Sequence, residues 1–292
     1  MNYEEVVDYI STLAHDLSLT FVQKVLKLEE EVAKFDKTQL LEHLSQADVI
    51  PEKYPHDSTE EKLYAKYSDA LFAKGLSELG LKSSVIKERA DAADVEAIGD
   101  GYSLVGDAKA FRLSRTAKNQ KDFKVEALNQ WKKSANYACL LGPLYQYPTS
   151  NSQIYGQATR YNVTLFSFTH LIFLIKSGIK KDVDLKKLWN VASSIPQGQS
   201  ATVYWNAVLQ VVLELTGKSE DDWKNVVKES QRYLDKQSRK EVAYWEKEIE
   251  KIEGYNHKQA VDELIKALKL NSEIKIIEKF ATEKALESSP LD

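Results

Sequence analysis

The chain has 292 residues, enough for one large domain or two ordinary ones, with 43% hydrophobic and 29% charged residues and a formal charge of −4. With fifteen Tyr, nine Phe and five Trp this is the profile of a soluble globular protein with a sizeable core; it excludes a disordered chain and one coated in positive charge. A single cysteine, Cys139, excludes an intramolecular disulfide and a multi-cysteine zinc site.

From the N-terminus, "NYEEVVDYISTLAHDL" and "TFVQKVLKLEEEVAKF" carry apolar residues at three- and four-residue intervals and predict helices. The acidic opening has no basic or apolar signal-peptide region. Pro51 and Pro55 break the pattern. "STEEKLYAKYSDALFAKGLSELG" then opens with Ser58 and Glu61 in capping-box spacing, sets Leu63, Tyr67, Ala70 and Leu71 on one face, and stops at Gly80.

The period next turns extended. "DVEAI" (Asp94 to Ile98) and "YSLVGDAKAF" (Tyr102 to Phe111) flank "GDG", a hairpin signal. "YACLLG" and "VTLFSF" read as further strands with helices between them, and a helix starts at Thr169; strand alternating with helix predicts a mixed α/β sheet. Beyond about Val191 the helical period returns. A long helix is capped by Ser219 and stopped at Gly254, with two more helices after it. No linker or repeat interrupts the chain. The expectation is a single domain over residues 1–292, with a sheet core at about 85–175 and helical arms at 1–80 and 219–287. The longest apolar run, Leu171 to Ile175, is too short to cross a bilayer, so the expected compartment is the cytoplasm.

Most candidate motifs reduce to structure. Cys139, inside "YACLLG", reads as a small core residue. His15, His43, His56, His170 and His257 show no metal-ligand spacing. "GKS" at Gly217 has Val212 where a phosphate-binding loop needs glycine, and reads as a loop into the Ser219 cap. "GDGYSL" lacks the third glycine of a dinucleotide fingerprint.

Asp-x-Lys occurs, among other places, as Asp107/Lys109, Asp122/Lys124 and Asp184/Lys186. Context favours the first. In a strand, residues i and i+2 leave the same face, and Leu104, Val105, Ala108 and Ala110 around this pair are apolar or small. A carboxylate and an ammonium on such a strand are costly unless paired or metal-bound. Asp94 stands at the start of the opposite strand. Two aspartates and a lysine are the groups that metal-assisted phosphodiester cleavage uses: carboxylates for a hard cation such as Mg2+, and an ammonium for the attacking water and the developing charge. A buried Asp–Lys ion pair accounts for the same spacing equally well.

The following segment bears on that choice. Arg112, Arg115, Lys118, Lys121 and Lys124 recur at every third position, with one acid, Asp122, among them. On a helix each such step slips by about 60°, so the charges would spiral, as phosphates do along a groove. Asn119 and Gln120 lie inside the run, and such amides can pair with adenine in the major groove. An ordinary solvated surface is the alternative.

"DAKAFRLSRTAKNQKDFKV" resembles the corresponding segment of the HindIII family of type II restriction endonucleases, within the PD-(D/E)xK nuclease superfamily. Weaker similarity lies in "STEEKLYAKYSDALFAKG", "YQYPTSNSQIYGQ", "LFSFTHL", "LWN" and "YWEKEIEKIEG"; residues from about Ser193 to Lys240 resemble it least. The resemblance implies a restriction-endonuclease-like α/β fold, a mixed β-sheet flanked by helices with helical N- and C-terminal regions. It implies Mg2+-dependent cleavage of double-stranded DNA at a palindrome, AAGCTT, by a homodimer whose genome a cognate methyltransferase protects. On matching positions, Asp94, Asp107 and Lys109 are the catalytic residues, with metal held by Asp94, Asp107 and the Ala108 carbonyl. Ala93 stands where the superfamily has proline, and Glu88 is a nearby acid without an assigned role. Arg112, Arg115, Lys118, Asn119 and Lys121 are the expected DNA contacts, with Asp122/Lys124 in support. A DNA-binding protein of the same fold without cleavage is the alternative.

Overall fold

The hairpin signal "GDG" closes as expected: Gly99 pairs with Tyr102, and Gly101 turns the chain in the left-handed region at φ +68°, where a side chain would be strained. A computed structural model describes residues 1–87, 93–115, 120–149, 152–179 and 185–278. Its contacts divide the chain into two compact units, Met1–Glu241 and Val242–Asp292.

The first unit holds a five-stranded sheet whose spatial order follows the chain: β1 (Lys82–Val85), β2 (Val95–Gly99), β3 (Tyr102–Ala108), β4 (Tyr137–Gly142) and β5 (Val163–Ser167). β1, β2 and β3 form an antiparallel meander, whereas β3, β4 and β5 run parallel. Parallel strands need crossovers, and helices supply them. β4 and β5 are buried almost throughout, which is why they read as continuous apolar runs without alternation. Cys139 is buried in β4. β1 escapes the sequence reading because "KSSV" is a polar, half-exposed edge.

Helices α1 (Tyr3–His15), α2 (Phe21–Ala33) and α3 (Lys37–Leu44) pack around α4 (Thr59–Glu78), which in turn packs on β1, β2 and β3. α4 is thus enclosed on several sides. Leu63, Tyr67, Ala70 and Leu71 are buried, and so are Tyr64, Phe72, Ala73 and Leu76. Each large apolar side chain buried in this way contributes roughly 1.5–3 kcal/mol. Half of the expected capping box is present. Ser58 accepts from the Glu61 amide at 3.2 Å, but the Glu61 carboxylate turns to the Asp57 amide and to Arg112. Gly106 sets how near α4 comes to the sheet, since a Cβ there would lie 2.5 Å from Phe72 Cε1.

α5 (Gln120–Phe123) and α6 (Val125–Trp131) connect β3 to β4, and α7 (Gln153–Tyr161) connects β4 to β5. α8 (Phe168–Ser177) follows β5 directly, and then come α9 (Lys186–Trp189) and α10 (Ala201–Thr216). Gly217 ends α10, and the "GKS" loop leads into Ser219, whose hydroxyl accepts from the Asp222 amide at 3.2 Å. The long helix α11 (Glu220–Glu253) runs as its period predicts and contributes residues to both units. In the second unit, α12 (His257–Ala267) and α13 (Leu270–Glu278) follow it. No helix among the described residues is long and apolar enough to cross a membrane.

Two histidines are core groups. His43 stacks on Phe35 and bonds Tyr67 Oη through Nδ1 at 2.6 Å. His170 faces Trp205 and Trp223, and burial lowers its pKa to about 3.

Candidate active site

β2 begins at Val95, opposite Gly106, so β3 runs on past its antiparallel neighbour. Asp94 donates its amide to the Gly106 carbonyl at 3.1 Å and thereby sits beside Asp107, the next residue of β3. On its other edge β3 remains paired with β4, and the Lys109 amide bonds the Leu141 carbonyl at 2.8 Å. Asp107 and Lys109 share a face, as their spacing predicts: Lys109 Nζ lies 2.7 Å from Asp107 Oδ1 and 2.6 Å from Oδ2. Both carboxylate oxygens of Asp107 therefore face the Lys109 ammonium, Oδ1 as hydrogen-bond acceptor and the buried Oδ2 as ion-pair partner.

A third acid joins from α4. Asp69 is 2% exposed, and its Oδ1 accepts the Ala108 amide at 3.3 Å. Carboxylate oxygens of Asp69, Asp94 and Asp107 lie within 4.8 Å of one another. One turn earlier on α4, Lys66 reaches both neighbours: its Nζ is 3.2 Å from Asp69 Oδ2 and hydrogen-bonds Asp94 Oδ1. The sequence reading missed Asp69 and Lys66. The available signal was a charged pair, Lys66 and Asp69, among Tyr67, Ala70, Leu71 and Phe72, all core residues.

Electrostatics follow from the crowding. Burial, and then Asp94, hold the Asp69 carboxyl well above the usual carboxylate range. Burial also raises Asp107, with Lys109 opposing it. Burial alone would lower the Lys109 ammonium, but Asp107, Asp69 and Asp94 together lift it. Three convergent carboxylates fit a hard divalent cation; with no sulfur or imidazole in the group they suit Mg2+, Mn2+ or Ca2+ better than zinc. Ala108 lies within this group, and its amide is the part engaged with Asp69. A second grouping, His56, Asp57 and Glu61, includes two exposed residues, and its Glu61 is committed to Arg112.

The basic run divides by placement. Arg112 turns inward: it is 9% exposed, pairs with Glu61 at 3.2 Å, and donates to the carbonyls of Pro51 and Glu52. Arg112, expected as a DNA contact, thus braces the fold through Glu61 and these two carbonyls. Arg115 is exposed and pairs with Asp122 at 2.8 Å. Asp122 therefore stands with Arg115, while the acid cluster is formed by Asp69, Asp94 and Asp107. The Lys124 charge bears on Asp107, and its Nζ lies 6.0 Å over the Trp131 ring. Lys118, Asn119 and Glu88 lie outside the described residues, as does the Lys121 side chain.

The model of the HindIII restriction endonuclease family matches residues 4–281. The chain belongs to that family. It is 32% identical over 285 residues to "Type II restriction enzyme HindIII" of Haemophilus influenzae (strain ATCC 51907 / DSM 11121 / KW20 / Rd), covering 95% of this chain and 94% of that protein. As a member of the HindIII family the chain is a type II restriction endonuclease, a site-specific deoxyribonuclease. Such enzymes bind double-stranded DNA and generally use a divalent metal, and the acid cluster is a group that could hold one.

Proposed function

We propose that the chain cleaves double-stranded DNA at AAGCTT with Mg2+ as cofactor, acting through Asp69, Asp94, Asp107 and Lys109. The observation that carries this reading is the convergence of three buried or half-buried carboxylates and the Lys109 ammonium at the end of β3. When bound, the cation supplies Lewis-acid polarisation of the scissile phosphate and lowers the pKa of water. Asp94, Asp107 and Asp69 would hold it, with the Ala108 carbonyl as a further ligand. Lys109, steadied by Asp107, orients the attacking water and offsets negative charge at phosphorus. Nothing in this set requires a covalent intermediate, since hydrolysis proceeds by direct attack of water.

Arg115, Lys118 and Lys121 supply positive charge for phosphates, and Asn119 reads a base edge. Arg112 holds the root of that segment against Glu61.

A palindrome is read most simply by a two-fold protein, so the enzyme is proposed to be a homodimer. The second unit offers material for it. Val242, Trp245, Ile249 and Ile252 recur at alternating three- and four-residue steps along α11, and Val261 and Leu264 of α12 with Leu268 at its C-terminal cap do likewise; all are exposed. That spacing is the seam of helices that pack side by side. By family, a cognate methyltransferase protects the cell's own sites, and the enzyme works in the cytoplasm.

The test is plasmid DNA incubated with the protein and Mg2+, followed by sequencing of the fragment ends. Ends confined to AAGCTT support the reading, and random ends or intact DNA refute it. Asp107→Ala is expected to abolish cutting while leaving folding and DNA binding intact; retained cutting would move the site elsewhere.

A further inference from the structure

Lys66 is the one ammonium in the acid cluster that bridges two carboxylates, and it comes from a different element than they do: from α4 to Asp69 on its own helix and to Asp94 before β2. We propose that Lys66 is a resident counter-ion, seated where a divalent cation binds, and that metal loading requires its departure. The inference rests on the metal-site reading above and goes beyond it.

Charge balance carries the argument. When all three acids are ionised, Lys66 and Lys109 leave the cluster with one net negative charge. A divalent cation added to both lysines would overshoot to one net positive charge in a largely buried site, which is costly. With Lys66 gone, the cation and Lys109 together balance the three carboxylates. The same departure frees Asp94 Oδ1 and Asp69 Oδ2, which Lys66 engages, to become ligands. Lys109 is a poor candidate to leave, since it sits two residues along the same strand from Asp107, its backbone tied to Leu141. Lys66 has a way out: its side chain is 29% exposed, and a four-carbon stem can swing to solvent.

Lys66 is therefore a positioning residue. It keeps the carboxylates gathered before metal arrives and weakens metal binding by competing for them. Without it, mutual repulsion loosens the empty site.

The experiment is Mn2+ binding to the full-length protein without DNA, followed by the free-Mn2+ electron paramagnetic resonance signal, for wild type, Lys66→Met, Lys66→Arg and Asp107→Asn. Thermal melts in EDTA and in excess Mn2+ accompany it. Lys66→Met is expected to bind Mn2+ at least about tenfold more tightly, to melt lower than wild type in EDTA, and to regain that loss in Mn2+. Lys66→Arg, which keeps the charge, is expected to stay near wild type. Equal or weaker binding by Lys66→Met overturns the counter-ion role. If Asp107→Asn still binds Mn2+ like wild type, the metal-site reading itself has failed. A variant that merely disturbs packing has no route to tighter binding, so a gain in affinity separates the proposal from a structural role.

Discussion

Asp69 carries the strongest prediction at the scale of single residues. Its carboxylate accepts from the Ala108 amide beside Asp107 and Lys109, so it belongs to the acid cluster although it comes from a helix. Asp69→Asn removes a charge and keeps the shape. Cleavage in single-turnover assays should fall by roughly 10²–10⁴-fold, while the melting temperature in EDTA holds or rises, because one buried carboxylate no longer repels Asp94 and Asp107. The two arginines of the basic run should separate just as cleanly. Arg112→Ala strands Glu61 and empties a buried pair, and chemical denaturation should show a loss of about 3–5 kcal/mol. Arg115→Ala should cost far less, at most about 1 kcal/mol, since the Arg115 side chain is more than half exposed, although Asp122 beside it is largely buried. It should instead weaken DNA binding across all sequences and lower the salt-dependence slope by about one.

Packing between elements creates a different titration. Asp48 follows α3 and lines an apolar cavity with Leu44, Leu144, Tyr145, Phe168 and Ile172. Burial pushes its carboxyl up to about 7. The folded protein therefore retains a proton that the unfolded chain releases near pH 4, so Asp48 makes stability fall as pH rises from about 4 to 7. Asp48→Asn cannot titrate. Its stability relative to wild type should increase across that window and level off above it, as thermal melts at pH 4 and pH 8 would show. An unchanged difference between the two would mean that the carboxylate is ionised and satisfied in the fold.

At the scale of the whole molecule, the contrast between the two units bears on the proposed homodimer. The first has a continuous core from the N-terminal helices through the sheet, whereas α12 in the second has no buried residue at all. Isolated short helices gain little from propensity alone and depend on an apolar face being covered. Ile249→Glu together with Leu264→Glu should convert a dimer to monomers in light scattering after size-exclusion chromatography. The same pair should lower double-strand cutting while leaving the acid cluster's metal binding as it was. A wild-type protein that is monomeric at micromolar concentration and still cuts both strands would reject the assembly.

What the sequence determined by itself was local. Strand and helix periods placed β2 to β5 and the long α11 close to their ends, because burial of one face or two writes itself directly into spacing. Asp107 and Lys109 were legible together since a two-residue step on one strand already makes them neighbours. Asp94 was legible because a hairpin brings its two strands into register through a turn that the sequence declares. β1 left no trace, since a polar edge strand has no hydrophobic period. Asp69 and Lys66 were hidden for a tertiary reason: α4 is enclosed by other helices and the sheet, so its pattern shows burial without showing which side meets β3. Only the packing of that helix across the sheet, at the distance Gly106 permits, brings a third acid to the pair. Packing likewise turned Arg112 inward, because its charge is all the sequence shows, while its partners Glu61, Pro51 and Glu52 lie more than fifty residues away along the chain.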